Sequence, residues 1–352
     1  MTDADFISAV KALGATQMIA AQAFDASEYA AYDSADKMRV QRCIASGLNN
    51  SDSAMGCYLG EMDDVSRLRP WFSRIAELKH GIAQAEPYDP EPANGRFDIA
   101  DFGLPPVSAR IRVGRNLDGY PLPALMTEAD RLALEEEVVS AVTKLGWEGE
   151  YHSLTQARPD TIDAAQQQKL IDEHLLFKPL DTDPYLRAAG VSGNWPSGRG
   201  CWISAQRDTI IWVNEEDHLR IMMIRHSTAL GALLDDLMTR VAMLEGALGR
   251  SFLHDNQFGY LTSCPTNFGT AMRASLHIAL PHLMATPDQL KAAANDLGLD
   301  LRGVRGEHSD AGEDGTVDLS PAARLGVTEQ TIVERLYRGA GTLWTAERAI
   351  SR

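Results

Sequence analysis

Cys264, Arg273 and His277 stand within one stretch, SCPTNFGTAMRASLHIAL, residues 263–280, and are types that could do chemistry together. Cys264 is followed by Pro265 and a polar turn, Thr266-Asn267-Phe268-Gly269-Thr270. Beyond the turn, Met272, Ala274, Leu276, Ile278 and Leu280 fall on one side and Arg273, Ser275 and His277 on the other. Alternation of period two predicts a half-buried strand. A thiol, a guanidinium and an imidazole then face one space. That pattern reads either as a site or as a core strand with a solvated polar face. A second alternating run sets Ser108, Arg110 and Arg112 opposite Val107, Ala109, Ile111 and Val113. Two arginines on one strand face repel each other unless an anion lies between them. Anion binding is the chemistry these types offer.

Other elements must hold those strands. Residues 1 to about 85 carry apolar positions at helical spacing: Phe6, Val10, Leu13 and Met18, then Val65, Leu68, Phe72, Ile75 and Leu78. Between them, residues 46–64 are small and polar and read as a surface loop. Residues 86–106 are rich in Pro, Asp and Gly and are expected to link two domains. Thr127 caps a helix that ends at Gly146. His174 precedes an apolar trio, Leu175-Leu176-Phe177. The turn WPSGRGC, residues 195–201, lacks the lysine of a phosphate-binding P-loop. A hairpin is expected from Thr209–Val213 and Leu219–Ile224, with Asn214-Glu215-Glu216-Asp217-His218 as its acidic turn and Arg220 on the second strand. Charged hairpin turns are usually solvated, so Glu216 alone carries little. Helices are predicted over Thr228–Leu248, from Pro287 onward, and over Thr328–Gly339. The Gly-rich, charged residues 302–315 read as a mobile loop.

Composition narrows the class. The chain of 352 residues, 44% hydrophobic and 23% charged, has room for two domains and a substantial core. A formal net charge of −16 argues against nucleic acid as a partner, so an anion would need a local arginine cluster. No apolar run reaches the ~18 residues of a membrane span, and the acidic N-terminus resembles neither a secretory signal nor a transit peptide. Cys43, Cys57, Cys201 and Cys264 lack metal-ligand spacing, so neither a zinc site nor a disulfide scaffold is expected, and a reducing cytoplasm is the simplest location.

The stretch from Cys264 closely resembles the signature of the phosphagen (ATP:guanido) kinases: CPTN, a hydrophobic residue, GT, then RAS and a histidine. Four further segments match in the family's order. They are Ser108 to Arg115, His174 to Phe177, Trp212 to Arg220, and Arg305-Gly306-Glu307-His308 followed by a carboxylate. The resemblance covers most of the chain.

It implies an α+β fold: a small all-α N-terminal domain over residues 1–85, a linker over 86–106, and a larger domain of antiparallel β-sheet flanked by helices over 107–352. It implies reversible transfer of the ATP γ-phosphoryl group to a small guanidino substrate. ATP or ADP would bring Mg2+ with it, no metal site of the protein's own being expected. Ser108, Arg110, Arg112, His174, Arg220, Arg273, Ser275, His277, Arg305 and Glu307 would bind the nucleotide. Glu216, Cys264 and Asp310 would hold the guanidinium, Glu216 taking its proton. Cys264 would serve better as a thiolate beside that cation, its pKa lowered by nearby arginines. Ser53, Ala54, Met55, Gly56 and Tyr58 resemble the specificity loop of the family's arginine kinases, where backbone groups cradle the substrate's α-carboxylate. Ala54 and Met55 depart from the usual glycine and valine, so taurocyamine or another small guanidine stands as the alternative to arginine. Asp310 stands where a glutamate is usual, and Glu313 or Asp314 could replace it. A protein-arginine kinase and an inactive nucleotide-binding homologue are weaker rivals. A monomer or homodimer is expected.

Overall fold

The computed structural model describes residues 2–87, 92–303 and 315–350. Up to His80 the regular elements are all helices, as the spacing predicts. Acidic and hydroxyl side chains start them. Thr2 and Asp5 form a capping box on Asp3–Gly14, and Asp25 and Asp33 each accept a backbone N–H at the start of Ala26–Ala31 and Ser34–Cys43. Each cap satisfies donors that the first helical turn leaves without partners.

The strands are β1 (Val107–Arg115), β2 (Gly149–Ser153), β3 (Gly200–Ser204), β4 (Thr209–Val213), β5 (Leu219–Ser227), β6 (His254–Asp255), β7 (Gly259–Tyr260), β8 (Met272–Ala279), β9 (Leu299–Arg302) and β10 (Thr316–Pro321). Eight form one sheet in the order β2-β3-β4-β5-β1-β8-β10-β9, and β6 with β7 makes a separate ribbon. With helices around that sheet, the fold is the expected α+β.

By compactness the chain divides into two units. The first comprises Met1–Pro87, Gly114–Arg220 and Leu244–Ala271, and the second Tyr88–Val113, Ile221–Met243 and Met272–Arg352. In the first unit Phe6, Phe24 and Tyr29 stack into an aromatic cluster, and the buried Trp71 donates its indole N–H to the Ala20 carbonyl. The helix Glu128–Leu145 starts and stops where its signals predict, with a Thr127–Asp130 capping box and a left-handed Gly146.

In the second unit the last helix runs Glu329–Ile350, not to Gly339 as expected. Gly339 and Gly341 are there for close packing rather than as stops. A Cβ on Gly339 would lie 2.2 Å from Leu299 Cδ1, and one on Gly341 2.5 Å from the Phe102 ring. The helix buries Ile332, Val333, Leu336 and Leu343. Strand β5 runs three residues beyond the expected Ile224, and the following helix starts at Leu230.

Candidate active site

The second unit carries an arginine-lined sheet face. β1 and β8 run antiparallel, with Ser108 opposite His277, Arg110 opposite Ser275 and Arg112 opposite Arg273. Along β1 the even-numbered residues are half-buried and the odd-numbered ones buried, as the alternation predicts. Like charges directly opposite each other are unfavourable, so Arg112 against Arg273 calls for a counter-charge. One is supplied from β10: Arg273 Nη2 donates to Asp318 Oδ2 at 2.7 Å and to Ser320 Oγ at 3.3 Å. Arg110 Nη2 lies 3.1 Å from the weakly accepting Met222 Sδ. Ser108 and His277 also line a cavity of about 590 Å³, shared with Pro106, His226, Pro281 and Trp344. That volume suits a small organic ligand.

The first unit carries the acidic turn, which is not the solvated hairpin tip its composition suggests. Asn214, Asp217 and His218 are buried. Asn214 has φ +55°, and its side-chain amide donates to the Gly198 and Arg131 carbonyls at 2.7 and 3.2 Å. The guanidinium of the fully buried Arg199 donates to the Asn214 carbonyl at 2.9 Å. The turn is therefore clamped. It presents Glu215 and Glu216, whose side chains are only 12% and 18% exposed, to Arg220 at 3.1 and 3.3 Å. Burial opposes Arg220's charge, but the two carboxylates outweigh it and hold its pKa above the ordinary value.

Cys264 and Tyr58 belong to the same neighbourhood. Burial and then the Glu216 carboxylate push the Cys264 thiol up to about 12, while a contact with Thr266 Oγ1 at 3.1 Å acts the other way. The charges that raise it are the Glu216 and Asp217 carboxylates, opposite in direction to the lowering expected from nearby arginines. A guanidinium bound at Glu216 would work in the opposite sense. Burial, followed by Cys264 and Glu216, raises the Tyr58 phenol well above its usual range and keeps it a neutral hydroxyl.

The segment before Tyr58 is built by close approach. Gly56 has φ +73°, and a Cβ there would meet Met18 Sδ at 2.4 Å. The carbonyls of Ala54 and Met55 accept the N–H groups of Ile19 and Ala20 at 2.9 and 3.0 Å, and Ser53 Oγ accepts the Gly56 N–H at 3.0 Å. Met55 turns its side chain into the core.

His218, next in the acidic turn, has both ring nitrogens committed. Nδ1 accepts the Leu117 N–H at 3.0 Å, which leaves Nε2 to donate to the Pro121 carbonyl at 2.9 Å. Burial depresses its pKa to about 4. A depressed histidine pKa means the unfolded chain takes the proton first. Its stabilising contribution is therefore complete above pH ~6.5 and is lost as pH falls toward 4, on the order of 3 kcal/mol in all. Thermal melts should show Tm dropping through that window, with a flatter pH dependence in His218→Gln. An equally steep slope in the variant would assign the loss to other groups.

The structure thus gathers Glu216, Cys264, Tyr58 and Arg220 in one unit and Ser108, Arg110, Arg112, Arg273, Ser275 and His277 on one sheet face of the other. His174 stands exposed at φ +59°, with no described contact to Glu216 or Cys264. The trio after it is buried, and Trp212 Nε1 pins it by donating to the Leu175 carbonyl at 2.7 Å. Arg305, Glu307, Asp310, Glu313 and Asp314 lie outside the described residues. Among the described residues, no group of three or more His, Cys, Asp and Glu is arranged to hold a metal ion, and no helix is long and apolar enough to cross a membrane. Sequence reasoning missed Asp318 as Arg273's partner and Glu215 as Arg220's. Glu215 had a visible signal, since it lies five residues from Arg220 across a two-strand turn.

Comparison with known proteins shows the family. Residues 133–350 match the family model described as "ATP:guanido phosphotransferase, C-terminal catalytic domain". The chain is 37% identical over 315 residues to arginine kinase 1 of Drosophila melanogaster, covering 87% of this chain and 85% of the relative. It is 38% identical over 305 residues to the arginine kinase of Carcinus maenas, covering 84% and 82%. Among solved structures, lombricine kinase superposes with a TM-score of 0.86 at 26% identity, covering 96% of this chain and 94% of that one. The substrate-free duplicated taurocyamine kinase of Schistosoma mansoni gives 0.83 at 25% identity, and this chain spans about half its length. By identity, coverage and fold, the chain belongs to the ATP:guanido phosphotransferases, the phosphagen kinases that use ATP.

Proposed function

We propose that this phosphagen kinase transfers the γ-phosphoryl group of ATP reversibly to free L-arginine. The observation that carries the reading is the first unit's grouping of Tyr58, Cys264 and Glu216, whose chain neighbours Leu59, Ser263 and Asp217 are joined by hydrogen bonds of 2.8 and 2.7 Å. Glu216 would orient the guanidinium and Cys264 would flank it. The N–H groups of Ala54 and Met55, which donate to no described residue, would receive the α-carboxylate. Arginine kinases at 37–38% identity support the same acceptor.

The sheet face with Arg110, Arg112 and Arg273 would grip the phosphates. Arginine suits this because its planar fork binds phosphate bidentately and stays charged. The cavity at Ser108 and His277 would take the adenosine. Mg2+ would arrive on the ATP phosphates and neutralise part of their charge. In the forward step a guanidine nitrogen forms a bond to the γ-phosphorus as the bond to the β-bridging oxygen breaks. Its proton passes to a Glu216 oxygen and ADP leaves. Such transfers depend chiefly on alignment and charge stabilisation. Arg220 bridges Glu215 and Glu216 at 3.1 and 3.3 Å.

The test is a coupled ADP-release assay with arginine, taurocyamine, glycocyamine and creatine offered singly. Arginine is expected to give the highest kcat/KM. A higher value with taurocyamine overturns the acceptor, and no ADP from any guanidine overturns the reaction.

A further inference from the structure

We propose that Asp217 is a positioning residue: through one run of buried hydrogen bonds it sets the Cys264 turn and the Tyr58 loop against the Glu216 turn. This rests on the phosphagen-kinase reading of those three residues. Asp217 directly follows Glu216. Its Oδ1 accepts the backbone N–H of Ser263 at 2.7 Å, and Ser263 directly precedes Cys264. The Ser263 carbonyl in turn accepts the N–H of Leu59 at 2.8 Å, and Leu59 directly follows Tyr58. Each of the three substrate-facing residues is thus the chain neighbour of a relay member.

The relay is closed against slippage. Asn116 Nδ2 donates to the same Asp217 oxygen at 2.9 Å and to the Leu261 carbonyl at 3.0 Å, while Asn116 Oδ1 accepts the His218 N–H at 2.8 Å. Leu59 and Ser263 have no exposed surface, Asn116 has 1% and Asp217 3%. Gly114 makes room for the carboxylate, since a Cβ there would lie 2.8 Å from Asp217 Oδ2. A buried carboxylate is costly unless hydrogen-bonded, and a charged acceptor strengthens each bond it takes. The described donors to Asp217 are the backbone amide of Ser263 and the side-chain amide of Asn116. Burial raises the Asp217 pKa, and the hydrogen bonds from Ser263 and Asn116 act against that rise.

Asp217→Ala removes the acceptor. It is expected to raise the acceptor KM about tenfold, the scale of one lost hydrogen bond to a charged group, and to leave the nucleotide KM within about twofold. Amide hydrogen exchange should accelerate in peptides containing Leu59 and Ser263. Asp217→Asn keeps an oxygen for Ser263 and should return both readouts toward wild type. If Asp217→Ala does not fold, Asn116→Ala serves as the second variant, with the same KM split by a smaller factor. A parallel rise of both KM values, or unchanged exchange at Leu59 and Ser263, overturns the relay. Should the wild-type enzyme turn over no guanidine, the function assigned above fails, and the exchange result alone decides the relay.

Discussion

Glu216→Gln is expected to lower kcat by about 10²-fold or more, the usual scale for removing a positioned general base. Gln keeps the size of the side chain and one acceptor oxygen, so it isolates the charge and the proton-accepting role. Nucleotide affinity should stay level or tighten, because Arg220, at 3.3 Å from Glu216, loses one of its two carboxylate partners and becomes more available to phosphate. The Cys264 thiol should titrate lower in the variant, since the Glu216 carboxylate is the largest charge raising it. Alkylation rates measured against pH would record that shift. A variant with wild-type kcat would remove Glu216 from the chemistry.

Arg273→Ala is expected to cost about 10²- to 10³-fold in kcat, as for loss of a preorganised electrostatic donor. Nucleotide binding should weaken with it. Two features set Arg273 apart from a surface arginine. It is held by Asp318 at 2.7 Å, and it sits directly opposite Arg112, so a phosphate there would be gripped from two strands. Removing it leaves Asp318, whose side chain is 11% exposed, facing the phosphate position without its cation. Arg273→Lys should rescue little, because an ammonium cannot hold Asp318 and a phosphate through one planar fork. Steady-state kinetics with a nucleotide-binding isotherm would check this, and unchanged kcat would take Arg273 out of the phosphate grip.

Much of this was legible in the sequence where a period was clean. Met272 to Leu280 alternates without a break and forms β8, and Thr127 and Gly146 bound the helix they mark. Four strands of the eight-stranded sheet carry no clear signal in the sequence: β2, β3, β9 and β10. β3 is buried at every position, so it has no polar side to alternate with. β2 and β9 are short, and β10 ends in proline. That omission hid Asp318, because nothing local pairs an acid at 318 with an arginine at 273. The acidic turn is opaque for a similar reason. Its clamps, Arg199, Arg131 and Gly198, come from distant sequence and become visible only once the chain has folded. The direction of the Cys264 shift is hidden in the sequence because burial and the Glu216 carboxylate, 48 residues away in the chain, set it.

The central claim is that a guanidine nitrogen receives the phosphoryl group. Phosphorus NMR of the enzyme with Mg-ATP and L-arginine tests it directly. A phosphoramidate resonance is expected to grow in step with ADP, and to shrink again to regenerate ATP when excess ADP is added. ADP accompanied only by inorganic phosphate, or a spectrum that never changes, would contradict it.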